Sequence, residues 1–162
     1  MIQYKKYYMP GTKEELLKTI DTIDCTYDIL AGGTDLYAKE KTPFNGADAA
    51  IDISGIKEFS VIKLKKEEGL ITFGSNICIQ QFLEEKVLME NVPILRHAAI
   101  YFADQQIREM ATVGGNVANS SPSGDTIAPL TALEAVIHTI TSKDNKICEK
   151  ETPITEFITG VG

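Results

Sequence analysis

Two patterns in the sequence predict an α+β fold, and its length and composition predict one globular domain. The first third of the chain alternates strand-like runs with an amphipathic helix, and the remainder carries two hairpin signatures. The length, 162 residues, suits one ordinary domain with a packed core rather than two full-sized ones. Hydrophobic residues make up 43% and charged residues 24%, with mean hydropathy −0.07, a globular composition that needs no disulfide or metal staple.

The elements follow in order. Thr12-Lys13-Glu14-Glu15 has the form of a capping box, in which the Thr12 hydroxyl accepts from the Glu15 N–H and the Glu15 carboxylate reaches back. A helix is expected from there, with Leu16, Leu17, Ile20 and Ile23 on one stripe. Tyr27-Asp28-Ile29-Leu30 reads as a short strand stopped by Gly32-Gly33, and residues 49–53 as another, closed by Ser54-Gly55. Residues 61–64 and 70–73, joined through Glu67-Glu68-Gly69, read as a hairpin. Amphipathic helices are expected at 77–88 and 93–102, the second with Pro93 in its first turn. The glycine-rich stretch 111–124 then reads as a long polar loop, of a length uncommon in compact domains unless it binds something. A helix over 125–135 and a closing hairpin, 136–141 with 146–149 around Lys143-Asp144-Asn145, complete the chain.

Charge and cysteine content narrow the function. Sixteen basic against 23 acidic residues give a net charge of −7 and pI ≈ 4.9. That argues against a nucleic-acid partner, whose binding rests on clustered Lys and Arg. The run Lys63-Leu64-Lys65-Lys66 is offset at once by Glu67 and Glu68. No apolar run approaches the roughly 18 residues of a membrane span, and the N-terminus has no apolar segment of the signal-peptide kind, so the cytoplasm is the expected compartment. Cys25, Cys78 and Cys148 are too far apart for a metal or iron–sulfur signature and are expected to be buried free thiols. His97 and His138 have no second His or Cys at ligand spacing, and no G-x-S-x-G nucleophile elbow occurs. Glu67-Glu68 and Glu84-Glu85 are adjacent pairs that diverge toward solvent. No catalytic or metal-ligating residue is expected.

Two glycine segments carry the binding chemistry. In Ala31-Gly32-Gly33-Thr34-Asp35-Leu36, paired glycines permit positive φ and a nest of backbone N–H groups suited to phosphate oxygens, with the Thr34 hydroxyl as a further donor. A tight strand-to-helix turn with Thr34 or Asp35 as N-cap explains the same letters. In Thr112-Val113-Gly114-Gly115-Asn116, with Asn119, Ser120, Ser121 and Asp125 beyond, small residues permit close ligand approach, and hydroxyls and amides supply neutral donors. Asp125 offers an acceptor for ribityl or ribose hydroxyls; an Ω-loop capped by Asp125 is the purely structural explanation. Together the segments favour a ligand with a pyrophosphate and a polyol, and neither is a Rossmann or P-loop fingerprint.

AGGTDL at 31–36, QIR at 106–108 and TVGGNVANSSPSGD at 112–125 resemble the FAD-binding domain of the medium, flavoprotein subunits of the molybdenum hydroxylase family, which includes xanthine dehydrogenase and aerobic carbon monoxide dehydrogenase. AIDISGIKEF at 50–59, ITFGS at 71–75 and ITEFITG at 154–160 agree in spacing, so the resemblance covers nearly the whole chain. It implies the FAD fold of the vanillyl-alcohol-oxidase and p-cresol-methylhydroxylase type. In that fold a subdomain with a small parallel sheet, here about 1–56, precedes one with a mainly antiparallel sheet, here about 57–162.

Non-covalent FAD is the implied cofactor. Leu30, Ala31, Gly32, Gly33, Thr34, Asp35 and Leu36 would meet it from the first segment. Phe102, Ile107, Ala111, Thr112, Gly114, Gly115, Asn116, Asn119, Ser121, Gly124 and Asp125 would meet it from the second. Phe102 resembles the aromatic that xanthine dehydrogenases place against the isoalloxazine; a core aromatic ending a helix is the other explanation. The chain departs from the pattern at Asp104-Gln105, where bacterial relatives carry Gly and Ser, and at Glu109-Met110. The family further implies a C-terminal domain beyond Gly162, a partner subunit with two 2Fe–2S clusters, a large molybdenum-pterin subunit, and NAD or another electron acceptor. Alternatives are a stand-alone flavin reductase or oxidase of the same fold, or an assembly scaffold that binds no flavin.

Overall fold

The computed structural model describes residues 4–38, 47–121, 124–143 and 146–160. β1 (Lys6–Tyr8), β2 (Tyr27–Leu30) and β3 (Ala49–Asp52) form a parallel sheet in the order β1-β3-β2. Lys6 and Tyr27 both stand opposite Ala49, and Ile29 opposite Ile51. The central strand β3 is the apolar one, with Ala49, Ala50 and Ile51 buried. β1 is not predictable from its letters: Lys-Tyr-Tyr is short, mostly exposed and without alternation, and pairing with β3 defines it.

α1 (Lys13–Thr22) starts where the capping signal places it. Thr12 Oγ1 accepts from Glu15 N–H at 3.2 Å, but the Glu15 carboxylate accepts from Gly11 N–H at 2.7 Å, one residue earlier than a standard box. Leu16 and Leu17 are buried, and Leu16, Ile51 and Ile56 form a first core joined by Tyr8, Ile20, Ile23, Ile53, Phe59 and Ile140. After β2 comes α2 (Thr34–Ala38). Thr34 and Asp35 lie inside its first turn, so neither is the N-cap residue considered above.

The antiparallel part consists of two separate hairpins. β4 (Ile62–Lys65) pairs with β5 (Leu70–Phe73) across a turn ending at Gly69, whose φ is +62°, and β6 (Val136–Lys143) pairs with β7 (Lys146–Pro153). The turn residues Asp144 and Asn145 lie outside the described residues. The second hairpin reaches back to α1, where the Ser142 hydroxyl donates to the Asp21 carboxylate.

Between the hairpins lie α3 (Gln81–Glu84), α4 (Lys86–Asn91), α5 (Pro93–Tyr101), α6 (Gln105–Met110), α7 (Val113–Asn119) and α8 (Ile127–Ala132); α9 (Ile154–Phe157) follows β7. Four expectations need correction here. The helix predicted at 77–88 breaks in two ways. Ile77 and Ile79, both fully buried at a spacing of two, belong to an extended segment, and Cys78 bridges to Thr112. A break at Glu85, whose backbone is extended (φ −76°, ψ 111°), separates α3 from α4, and each piece buries one side chain, Phe82 and Leu88.

The supposed loop 111–124 contains α7. Thr112 Oγ1 accepts from Gly115 N–H at 3.0 Å, and Val113 and Val117, four apart, are buried on one face. The adjacent glycines hide that pattern by lowering helix propensity. α8 is shorter than the predicted 125–135, starting after Thr126, so Asp125 does not cap it. The cysteines are free thiols but not buried: Cys25 and Cys78 are half-buried and Cys148 is exposed. Cys25 sits in the turn before β2, and Cys148 lies on a hairpin of only two strands, which cannot enclose it.

A second, larger core gathers Ile77, Ile79, Phe82, Leu88, Leu95, Phe102, Val113, Val117, Leu130 and Ile154, with Phe73 and Phe82 edge to face at 5.5 Å.

Candidate functional site

The two glycine segments meet through a third segment, residues 74–79, which bonds to both halves of the molecule. Ser75 O accepts from Gly114 N–H at 2.9 Å, Ile77 O from Val113 N–H at 2.9 Å, and Ile79 N–H donates to Ala111 O at 2.9 Å. In the other direction Asn76 N–H donates to Phe59 O at 2.8 Å, and Asn76 Nδ2 to Ile53 O at 2.7 Å. The first glycine segment, leaving β2, packs directly on the backbone before α7. A Cβ at Gly32 would fall 1.9 Å from Met110 O, and one at Gly114 would fall 2.5 Å from Ser75 Cβ. These glycines thus admit neighbouring protein, where close approach by a ligand was expected. Gly33 has a different role: its φ is +69°, the left-handed conformation that glycine adopts without penalty.

This interlock leaves a cavity of about 420 Å³. Of the residues singled out from the sequence, Ala31, Gly32, Gly33, Thr34, Asp35, Leu36, Phe102, Ala111, Thr112, Gly114, Gly115, Asn116 and Asn119 line it. Leu30 is buried and Ile107 packs against the second core, both outside the lining. Ser121, Gly124 and the exposed Asp125 also lie outside the lining. Ile29, Ile53, Ser75, Asn76 and Ala118 line the cavity and were not anticipated. Ile29 is half exposed and its neighbour Leu30 buried, since successive strand residues face opposite sides. Phe102 is 9% exposed within the second core, as the core explanation requires, and it also forms part of the cavity wall.

Asp35 is the one ionisable side chain of the lining among the described residues. The other polar groups are neutral, namely Ser75, Thr34, Thr112 and three asparagines. Asn116 Oδ1 accepts from Thr126 Oγ1 at 2.6 Å, so its Nδ2 hydrogens are what it can offer a ligand. Gly32 and Gly33 N–H groups donate to no acceptor among the described residues. Asn76 Oδ1 is buried and unpartnered, a costly arrangement unless a bound donor supplies the missing bond. His97 stacks edge-on against Tyr101 and His138 pairs with Glu151 at 3.5 Å; among the described residues no cluster of three His, Cys, Asp or Glu could hold a metal.

Residues 2–162 match the family described as the FAD binding domain in molybdopterin dehydrogenase. The chain belongs to this family. Similar proteins include the nicotinate dehydrogenase FAD-subunit of Eubacterium barkeri, 29% identical over 158 residues that cover 97% of this chain and 51% of that one. Another is the putative xanthine dehydrogenase FAD-binding subunit XdhB of Escherichia coli K12, 31% identical over 134 residues that cover 83% and 44%. The carbon monoxide dehydrogenase from Hydrogenophaga pseudoflava superposes with a TM-score of 0.87 at 24% identity, covering 99% of this chain and 54% of that one, and so shares the fold. The chain spans about half the length of the curated relatives it matches.

The cavity of this FAD-binding domain fits the dinucleotide on its own chemistry. Adjacent N–H groups at Gly32 and Gly33, with hydroxyls at Thr34 and Thr112, are donors for phosphate oxygens. The orphaned Asn76 Oδ1 is an acceptor for an N–H or O–H of the same ligand. Ile29, Ile53 and Phe102 give apolar surface for a ring.

Proposed function

We propose that this domain holds FAD non-covalently between two subdomains, about 1–56 and 57–162, within a molybdenum hydroxylase flavoprotein subunit. In that role it relays electrons from the 2Fe–2S clusters of a partner subunit to NAD or another acceptor, while a separate molybdenum-pterin subunit performs the hydroxylation. The observation that carries the reading is the meeting of both glycine segments at one cavity whose polar groups are almost all neutral. The cofactor supplies reversible uptake of one or two electrons, and the protein's part is to bind and orient it. Gly32, Gly33 and Thr34 donate toward the pyrophosphate, and Thr112, Asn116 and Asn119 lie on the facing side. Leu30 and Ile107 are retained as cofactor contacts beside the lining residues. Asp125, one residue from Thr126, which is anchored to the cavity residue Asn116, is retained with Ser121 and Gly124 as a contact for polyol hydroxyls. Among the described residues no helix is long and apolar enough to cross a membrane. A cytoplasmic location is part of the proposal.

Two substitutions grade the binding roles. Thr34→Ala removes one bond to a charged oxygen, worth about 1.5–3 kcal/mol, and should weaken FAD roughly ten- to hundredfold in a fluorescence titration. Asn76→Ala removes a bond between neutral groups and should weaken it about two- to tenfold. Parent-like affinity in both would show that the cavity polar groups do not contact the cofactor.

The relay itself is tested by capturing the complex through this domain from its native source. The expected material contains iron, acid-labile sulfide and molybdenum. A captured flavoprotein without any of them would favour a stand-alone reductase.

A further inference from the structure

Arg108 on α6 takes part in none of the ion pairs among the described residues. Its half-buried guanidinium is directed at carbonyls instead. Nη1 donates to Phe102 O and to Ala103 O, each at 3.0 Å, and Nε donates to Gln80 Oε1 at 3.0 Å. Gln80 N–H returns a bond to Arg108 O at 3.0 Å, so the clamp joins α6, the end of α5 and the segment entering α3.

The clamped residues are unusual. Ala103 has φ +35°, a left-handed conformation that costs a non-glycine residue roughly a five- to thirtyfold preference. Phe102, immediately before it, closes α5 and forms part of the cavity wall. Two charge-assisted bonds from one guanidinium are strong enough to offset that penalty. An uncharged or shorter side chain cannot hold both carbonyls and Gln80 in one plane.

We propose that Arg108 is a positioning residue for the cofactor site: it holds the Phe102–Ala103 turn, left-handed at Ala103, and thereby sets the Phe102 ring in the cavity wall. The inference rests on the FAD reading above, and it predicts a specific coupling. With glycine at 103 the turn carries no penalty, so the clamp matters less.

The test is a double-mutant cycle on the whole chain, read by FAD titration and by visible circular dichroism of the bound flavin. Arg108→Gln should weaken FAD about tenfold and alter the visible spectrum, and Ala103→Gly should stay within about twofold of the parent. In the Ala103→Gly background the Arg108→Gln loss should shrink to about threefold or less. An equal loss in both backgrounds overturns the proposal. So does a lowered melting temperature with parent-like affinity and spectrum, the pattern of a merely structural arginine. If Arg108→Gln does not fold, Arg108→Lys replaces it; an intermediate loss relieved by Ala103→Gly supports the clamp and an unrelieved one refutes it. Amide exchange at Ala103 and Asp104 in cofactor-free protein separates this inference from the FAD reading. Faster exchange on removing Arg108 supports the clamp even if the parent binds no FAD, and unchanged exchange contradicts it.

Discussion

Gly32→Ala is expected to lower FAD affinity a hundredfold or more and to destabilise the fold as well. The added methyl would sit 1.9 Å from Met110 O and 2.7 Å from Met110 C. Both are backbone atoms, so no rotamer change relieves the clash, and the chain at 110–111 must move. That movement displaces Ala111 and Thr112 from the cavity and strains the bond from Ile79 N–H to Ala111 O. Overpacking of this kind costs about 1–3 kcal/mol, which for a domain of this size is roughly 2–12 °C in Tm. Gly55→Ala is the control, because nothing lies within 4 Å of its would-be Cβ, and it should leave both Tm and affinity unchanged. Parent-like binding by Gly32→Ala would mean that the two glycine segments do not interlock.

Gly33→Val should separate binding from folding. At φ +69° a β-branched side chain is strongly disfavoured, so the peptide is expected to turn to negative φ and carry the N–H groups of Gly33 and Thr34 away from the cavity. FAD affinity should fall more than a hundredfold while far-UV circular dichroism stays close to the parent, since this turn contributes little core. Gly33→Asn is the milder companion, as Asn tolerates the left-handed region, and its loss should be smaller. Equal affinity across Gly33, Asn and Val would make the turn a structural feature only.

What could be read from the letters follows from where the physics is local. The Thr12 cap, the β2-to-glycine turn and both hairpins depend on neighbours within a few residues, and they appear at the expected places. β1, the break at Glu85 and the extended Ile77–Ile79 segment depend on what lies across the fold, and local pattern misassigns them. α7 is an intermediate case: its apolar pair at 113 and 117 is local, but Gly114 and Gly115 mask it.

The site divides in the same way. Both glycine segments stand out by composition, whereas Ser75 and Asn76 join the cavity only because segment 74–79 bridges the halves. The glycines themselves were legible as special but not in their division of labour. Only coordinates show that Gly32 and Gly114 make room for backbone and side chain while Gly33 supplies a positive φ. The unusual Asp104 likewise has a local role, capping α6 by accepting from Ile107 N–H at 2.9 Å.

The most direct test of the central claim is the identity of the cofactor released by acid. Purified chain, incubated with an excess of an equimolar mixture of FAD and FMN and freed of unbound flavin, is precipitated with acid and the supernatant is chromatographed. The expected supernatant is yellow and its flavin runs as FAD, at close to one per chain. Flavin retained in the pellet, release of FMN, or a chain that retains no flavin after saturation would contradict it.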